Sequence, residues 1–187
     1  MTWTSSQWTV APRWTLFAIL LTGLLSGCST MEIYVDHDPD ASFENLKRYA
    51  WMPDPPKVTG DPRVDNPIIH RFVREAVEDR LKSRGFERDD DAPDVWVGFI
   101  ADVRQRTEFR AVNERRRYSS ASWTELRERA YDEGTLILDF VDPKTRKLLW
   151  RGSARAEVHL SASQSRKRER IKEAVDRILE RFPPSRD

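Results

Sequence analysis

Twelve consecutive residues, Trp14 to Leu25, carry no charge in a chain that is otherwise 34% charged with a mean hydropathy of -0.70. The run follows Arg13 and is too short to cross a hydrocarbon layer of about 30 Å, a span that takes about 20 apolar residues as a helix. Its length suits the apolar core of an export signal that is later removed. The only cysteine, Cys28, stands directly behind it. No intramolecular disulfide can therefore form, and everything after the run must fold on its hydrophobic core alone. About 160 residues suffice for one such core.

The residues at the end of the run are Leu25-Ser26-Gly27-Cys28. This resembles the lipobox of bacterial lipoproteins, in which the thiol receives a diacylglyceryl group and the peptide before it is cleaved. The resemblance implies a signal peptide over residues 1–27, an acylated Cys28 as the new N-terminus, and a mature region over 28–187. Two or more acyl chains hold a protein stably at a membrane, where a single chain does not. The following residue is Ser29 and not aspartate, which by resemblance to Gram-negative sorting signals implies the inner leaflet of the outer membrane, with the domain facing the periplasm. Removing residues 1–27 loses Arg13 and no acid, so 32 basic side chains become 31 against 31 acidic ones. A mature region of zero net charge argues against a general polyanion binder, and export argues against a nucleic-acid partner.

Hydrophobic periodicity orders the mature region. Ile33 to Val35 and Arg48 to Met52 read as short strands, the second stopped by Pro53-Asp54-Pro55-Pro56. A helix is expected over about 67–84: Asp65 or Asn66 caps it, Pro67 opens it, Gly85 ends it, and Ile68, Ile69, Phe72, Val73, Ala76, Val77 and Leu81 share one face. Val95 to Val103 alternates with period two, as do Leu136 to Val141 and Trp150 to Leu160. Asp142-Pro143-Lys144-Thr145 supplies the turn between the last two. A final helix runs from about Ser165 to Arg181, before Pro183-Pro184. The expected fold is α+β, an antiparallel or mixed sheet of about five strands with two helices packed on one face.

Several segments in this order also resemble a known family: Asp36-His37-Asp38-Pro39, Leu46 to Trp51, Asp65-Asn66-Pro67, Gly85-Phe86 and Asp94 to Gly98. The most specific are Tyr131 to Asp139, Asp142 to Thr145 and Leu149-Trp150-Arg151-Gly152. Together they are similar to the domain-of-unknown-function family 4136 (DUF4136) of bacterial lipoproteins, over most of residues 31–182. The resemblance implies a location and a domain type, and no activity, cofactor or catalytic residue.

The residues themselves carry no catalytic motif. There is no Gly-x-Ser-x-Gly elbow, and the three histidines, His37, His70 and His159, read as boundary or surface residues. Asp36, Asp38 and Asp40 alternate as at the start of a calcium loop, but Ala41 and Lys47 stand where such a loop needs glycine and glutamate; a turn capped by aspartates is the simpler reading. Asp89-Asp90-Asp91 reads as a solvated loop. No metal, cofactor or catalytic site is expected. The basic stretch 104–117 reads as a strand extension with a solvated face, the alternative being contact with anionic headgroups or peptidoglycan. Arg166, Lys167, Arg168 and Arg170 open the last helix although positive charge there opposes the helix dipole. Trp96, Ile100, Ile137 and Val141 lie on the strand face opposite Val95 and Val97 and are the candidate interaction patch.

The expected function is a non-enzymatic binding or structural module of the envelope, held at the membrane through Cys28, with an envelope protein or peptidoglycan as partner. A hydrolase or small-ligand carrier with a cleft is the alternative. Convergence of a histidine with carboxylates in a pocket would favour it.

Overall fold

The computed structural model describes residues 31–53, 61–115 and 122–184, with backbone only at 110–115 and 122–126. The signal segment and Cys28 lie outside the described residues. Eight elements follow in order: β1 (Glu32–His37), β2 (Arg48–Trp51), α1 (Pro67–Ser83), β3 (Glu87–Arg88), β4 (Val95–Arg115), β5 (Ser122–Val141), β6 (Leu148–Glu157) and α2 (Gln164–Leu179). The strands form one sheet in the order β1-β6-β5-β4-β2-β3. Pairing is antiparallel from β1 through β4, whereas β2 runs parallel to both β4 and β3. The fold is α+β with a mixed sheet.

Local chemistry explains the helix ends. The Asn66 side chain accepts hydrogen bonds from the amides of Ile68 and Ile69, both at 3.1 Å, satisfying two donors that the first turn leaves without partners. Pro67 follows, where its missing N–H costs nothing. Gly85 takes φ +81° past the C-terminus, in the left-handed region that glycine enters without a side-chain clash. At α2, Ser163 caps Arg166 at 3.4 Å, and the helix is two residues shorter than expected at its C-terminus.

Both helices lie on one face of the sheet. Val95, Val97, Phe99 and Ala101 point to that face and are buried with Val73, Val77 and Leu81 of α1 and Val175, Ile178 and Leu179 of α2. The other face carries charge: Arg151 donates two bonds of 2.7 Å to Asp139, Arg106 pairs with Glu133 at 3.1 Å, and Arg129 with Glu157 at 2.6 Å. Asp139 is only 3% exposed, so the two-pronged guanidinium contact is what makes its burial tolerable.

Two features differ from expectation. The sheet has six strands, because β3 is a two-residue addition beside β2 and too short to show any alternation. Strand β5 also begins at Ser122, far ahead of its apolar stretch at 136–141, and pairs there with the basic stretch 104–115, which continues β4 as the strand extension expected of it. Their register continues from Arg104 opposite Glu133 to Arg115 opposite Ser122, whereas β6 pairs with β5 only as far as Glu133. The continuation is a two-stranded ribbon with polar residues on both sides, so no apolar period marks it. Backbone hydrogen bonds and opposed charges such as Glu108 across from Arg129 replace burial there.

Candidate functional site

The helix-covered face is uneven, and the sheet register shows why. One cross-strand row holds Trp51, Val97, Phe140 and Trp150. Phe182, just past α2, stacks on Phe140 at 4.0 Å between ring centroids and meets Trp150 at 5.1 Å. In the next row Gly152 leaves room for these rings: a Cβ there would stand 2.3 Å from the Trp150 ring and 2.5 Å from Ile178. This end is filled.

Two rows further along the strands the side chains shrink. Ala101, Leu136 and Ala154 form one row, and Val103, Gly134 and Ala156 the next. The first turns of α1 bring Ile69 and Val73 above them, and α2 brings Ile171 and Ala174. Small residues below and medium ones above do not meet, and a cavity of about 360 Å³ remains, within the range of about 300–1,000 Å³ of small-ligand sites. Met31 lines it immediately before β1, so the chain enters the domain at the hollow end.

The walls are apolar and the mouth is charged. Arg63, His159, Arg166, Lys167, Arg170, Glu157, Glu169 and Glu173 surround it. Several are committed to each other or to neighbours: Arg170 to Glu173 at 2.6 Å, Arg63 to Asp61 at 2.6 Å, and Glu157 to Arg129. Arg166, Lys167 and Glu169 have no side-chain partner among the described residues. Lys167 is the informative one. It precedes Ile171, Ala174 and Ile178 at helical spacing, so the apolar stripe of α2 continues into a half-buried lysine that lines the cavity.

The sequence candidates fall elsewhere. Trp96 lies opposite Val141, and Ile100 opposite Ile137, on the face away from the helices. Trp96, Ile100 and Ile137 are half-buried and Val141 is 7% exposed. Between the two pairs sit Gly98, covered by the Met52 side chain, and the Asp139–Arg151 ion pair. Asp36 and Asp38 accept backbone hydrogen bonds from His37 and Asp40, each at 2.9 Å. Asp89 accepts from Asp91 and Ala92, and these amides with Arg48 hold its carboxyl below the usual range. Both acidic stretches thus fold as turns in which aspartates bind local donors. His70 stands 3.1 Å from Asp65 and edge-on to Phe99, with no hydroxyl or thiol bonded to its imidazole among the described residues. His159 reaches the cavity mouth, where no described hydrogen bond or ion pair links it to a carboxylate.

Fold and cavity together define a two-layer α+β domain with a hollow, charge-rimmed end. The chain belongs to the family described as Domain of unknown function (DUF4136), whose sequence model matches residues 33–184. No curated protein matches it. Among solved structures, a PDZ domain protein from Parabacteroides distasonis ATCC 8503 is similar in fold at 15% identity and a TM-score of 0.52, covering 85% of this chain. This chain spans 38% of that protein's length. A PelC dodecamer from Paraburkholderia phytofirmans matches at 7% identity and a TM-score of 0.47, covering 84% of this chain and 100% of that one.

The cavity was the feature that sequence reading missed. Its signal is nonetheless present, as small residues at Ala101, Ala154 and Ala156 on the buried face of two strands and a lysine in line with the buried stripe of α2.

Proposed function

We propose that this protein is a lipid-anchored, non-catalytic binding module of the bacterial cell envelope, held at the membrane through Cys28 with its domain in the periplasm. The observation that carries this reading is the uncharged Trp14–Leu25 run ending in Leu-Ser-Gly-Cys at the chain's only cysteine. Among the described residues no helix is long and apolar enough to cross a membrane. The test is the intact mass of the protein in the membrane fraction of its native host, beside a Cys28→Ala variant, with inner and outer membranes separated by density. Residues 28–187 plus diacylglyceryl and acyl groups, lost in the variant, is the expected result. An unmodified, uncleaved chain would refute it.

A second reading, that the domain carries a small ligand, is supported by the cavity between the two helices and the alanine-lined end of the sheet. Half-buried Trp96, Ile100 and Ile137, with Val141 buried beneath, support a protein or peptidoglycan contact on the opposite face. The two uses are compatible because they occupy different faces.

A further inference from the structure

We propose that the hollow end of the domain binds a single-chain amphiphile with an anionic head, such as a fatty acid, with the chain in the cavity and the head at the first turns of α2. The proposal rests on the ligand-carrier reading above and names the ligand class. Its first support is the lining: Ala101, Leu136, Ala154, Ile69, Val73 and Ile171 give the cavity of about 360 Å³ a mostly apolar wall. Water gains little in such a space, and an alkyl chain gains the full transfer from solvent.

Its second support is independent and lies in the charges. Arg166 and Lys167 stand in the first turn of α2, where the dipole and free amides disfavour cations, and neither has an ionic partner among the described residues. Arg170 and Arg63 at the same mouth are neutralised by Glu173 and Asp61. Glu169 is the one rim acid without a described partner, so two cations face one carboxylate. A carboxylate or phosphate head seated at Lys167 would complete both the ammonium and the helix N-terminus. Lys167 sits on the same stripe as Ile171 and Ala174, which places head and chain along one line.

Calorimetric titration of the full chain carrying Cys28→Ala with octanoate, decanoate and dodecanoate tests this, with decyltrimethylammonium as the cationic counterpart. One molecule per chain is expected, with roughly fourfold tighter binding per added methylene until the cavity is full. The double change Arg166→Glu and Lys167→Glu, on the helix surface and half-buried rim, should weaken decanoate at least tenfold without lowering the thermal midpoint, since acids suit a helix N-terminus. Ala154→Leu should abolish binding in a protein that still unfolds cooperatively. Equal or tighter binding of decyltrimethylammonium would overturn the ligand class while leaving a carrier. Binding of neither amphiphile would overturn the carrier reading itself. Saturable decanoate binding to the Cys28→Ala chain but not to the acylated protein would overturn a free ligand in favour of the chain's own anchor. The intact-mass measurement on Cys28 decides anchoring separately, so the readings fail separately.

Discussion

The two ends of the helix-covered face are built on the same strands and covered by the same helices, yet one is solid and the other hollow. At the solid end Phe140, Trp150 and Phe182 interlock around Gly152, all with under 2% exposure for the three rings. At the hollow end Ala101, Ala154 and Ala156 leave space under Ile69 and Ile171, while Val158 fills the place of a side chain at Gly134. The solid end also receives Arg84, which donates to the Phe182 carbonyl and ties the end of α1 to the segment after α2. Stability is thereby concentrated where the rings meet, and the opposite end is free to hold something other than its own side chains. A uniformly packed core would be more stable and would bind nothing.

The sharpest way to break this comparison is to empty the solid end. Trp150→Ala should cost about 3–5 kcal/mol, measured as a shift of the urea midpoint at unchanged slope. A loss under about 1 kcal/mol would mean that the aromatic cluster is not the anchor of the fold. Next comes a matched pair of enlargements on neighbouring positions of β6. Gly152→Ala forces a methyl into the Trp150 and Ile178 side chains and should cost about 1–3 kcal/mol, whereas Ala154→Leu grows into the cavity and should change stability by less than about 1 kcal/mol. Equal costs would erase the distinction between the ends.

Asn66→Ala removes the cap from the helix that roofs the hollow end. A loss of about 1 kcal/mol is expected, with faster hydrogen exchange of the Ile68 and Ile69 amides as its local signature. The smallest effect is a pH dependence at the solid end. Asp94 accepts bonds from the Arg48 side chain and from the amides of Arg48 and Lys47, and these, the guanidinium first, lower its carboxyl from 3.8 to about 2. A carboxyl depressed in the folded state stabilises fully above about pH 4 and loses that contribution as pH falls through about 2. Thermal midpoints of the wild type and Asp94→Asn should therefore differ most above pH 4 and converge near pH 2.

What could be read from the sequence followed how local its cause was. Helix α1 is announced by Asn66, Pro67 and Gly85, three residues that act on their immediate neighbours. The β5–β6 turn is announced in the same way: Asp142 accepts from Lys144 and Thr145, with the Thr145 amide bond foremost in lowering its carboxyl. Strand β3 and the β5 half of the ribbon left no such mark, because a two-residue strand has no period and residues 122–133 show no apolar alternation, whereas the basic stretch 104–117 reads as a strand extension. The cavity was less legible still. Ala101, Gly134 and Ala154 are unremarkable singly, and only the register that brings three strands together reveals that the small residues coincide. Lys167 looked like one of four surface cations until α2 was laid on the sheet.

The ribbon makes length a free parameter of this protein. From Arg104 to Arg115 it extends about 40 Å at a rise of about 3.4 Å per residue, and no described strand pairs with it from outside. Among the described side chains no core residue lies beyond Val103 on β4 or before Leu136 on β5. Side chains repeat every second residue, so removing two residues from each strand, such as Arg106-Thr107 with Ala130-Tyr131, keeps the facing and cross-strand register of the residues beyond, one notch closer to the sheet, and loses the surface Arg106–Glu133 ion pair. The arm can therefore be retuned in steps of about 7 Å by paired deletion or insertion while the rest of the domain stays as it is.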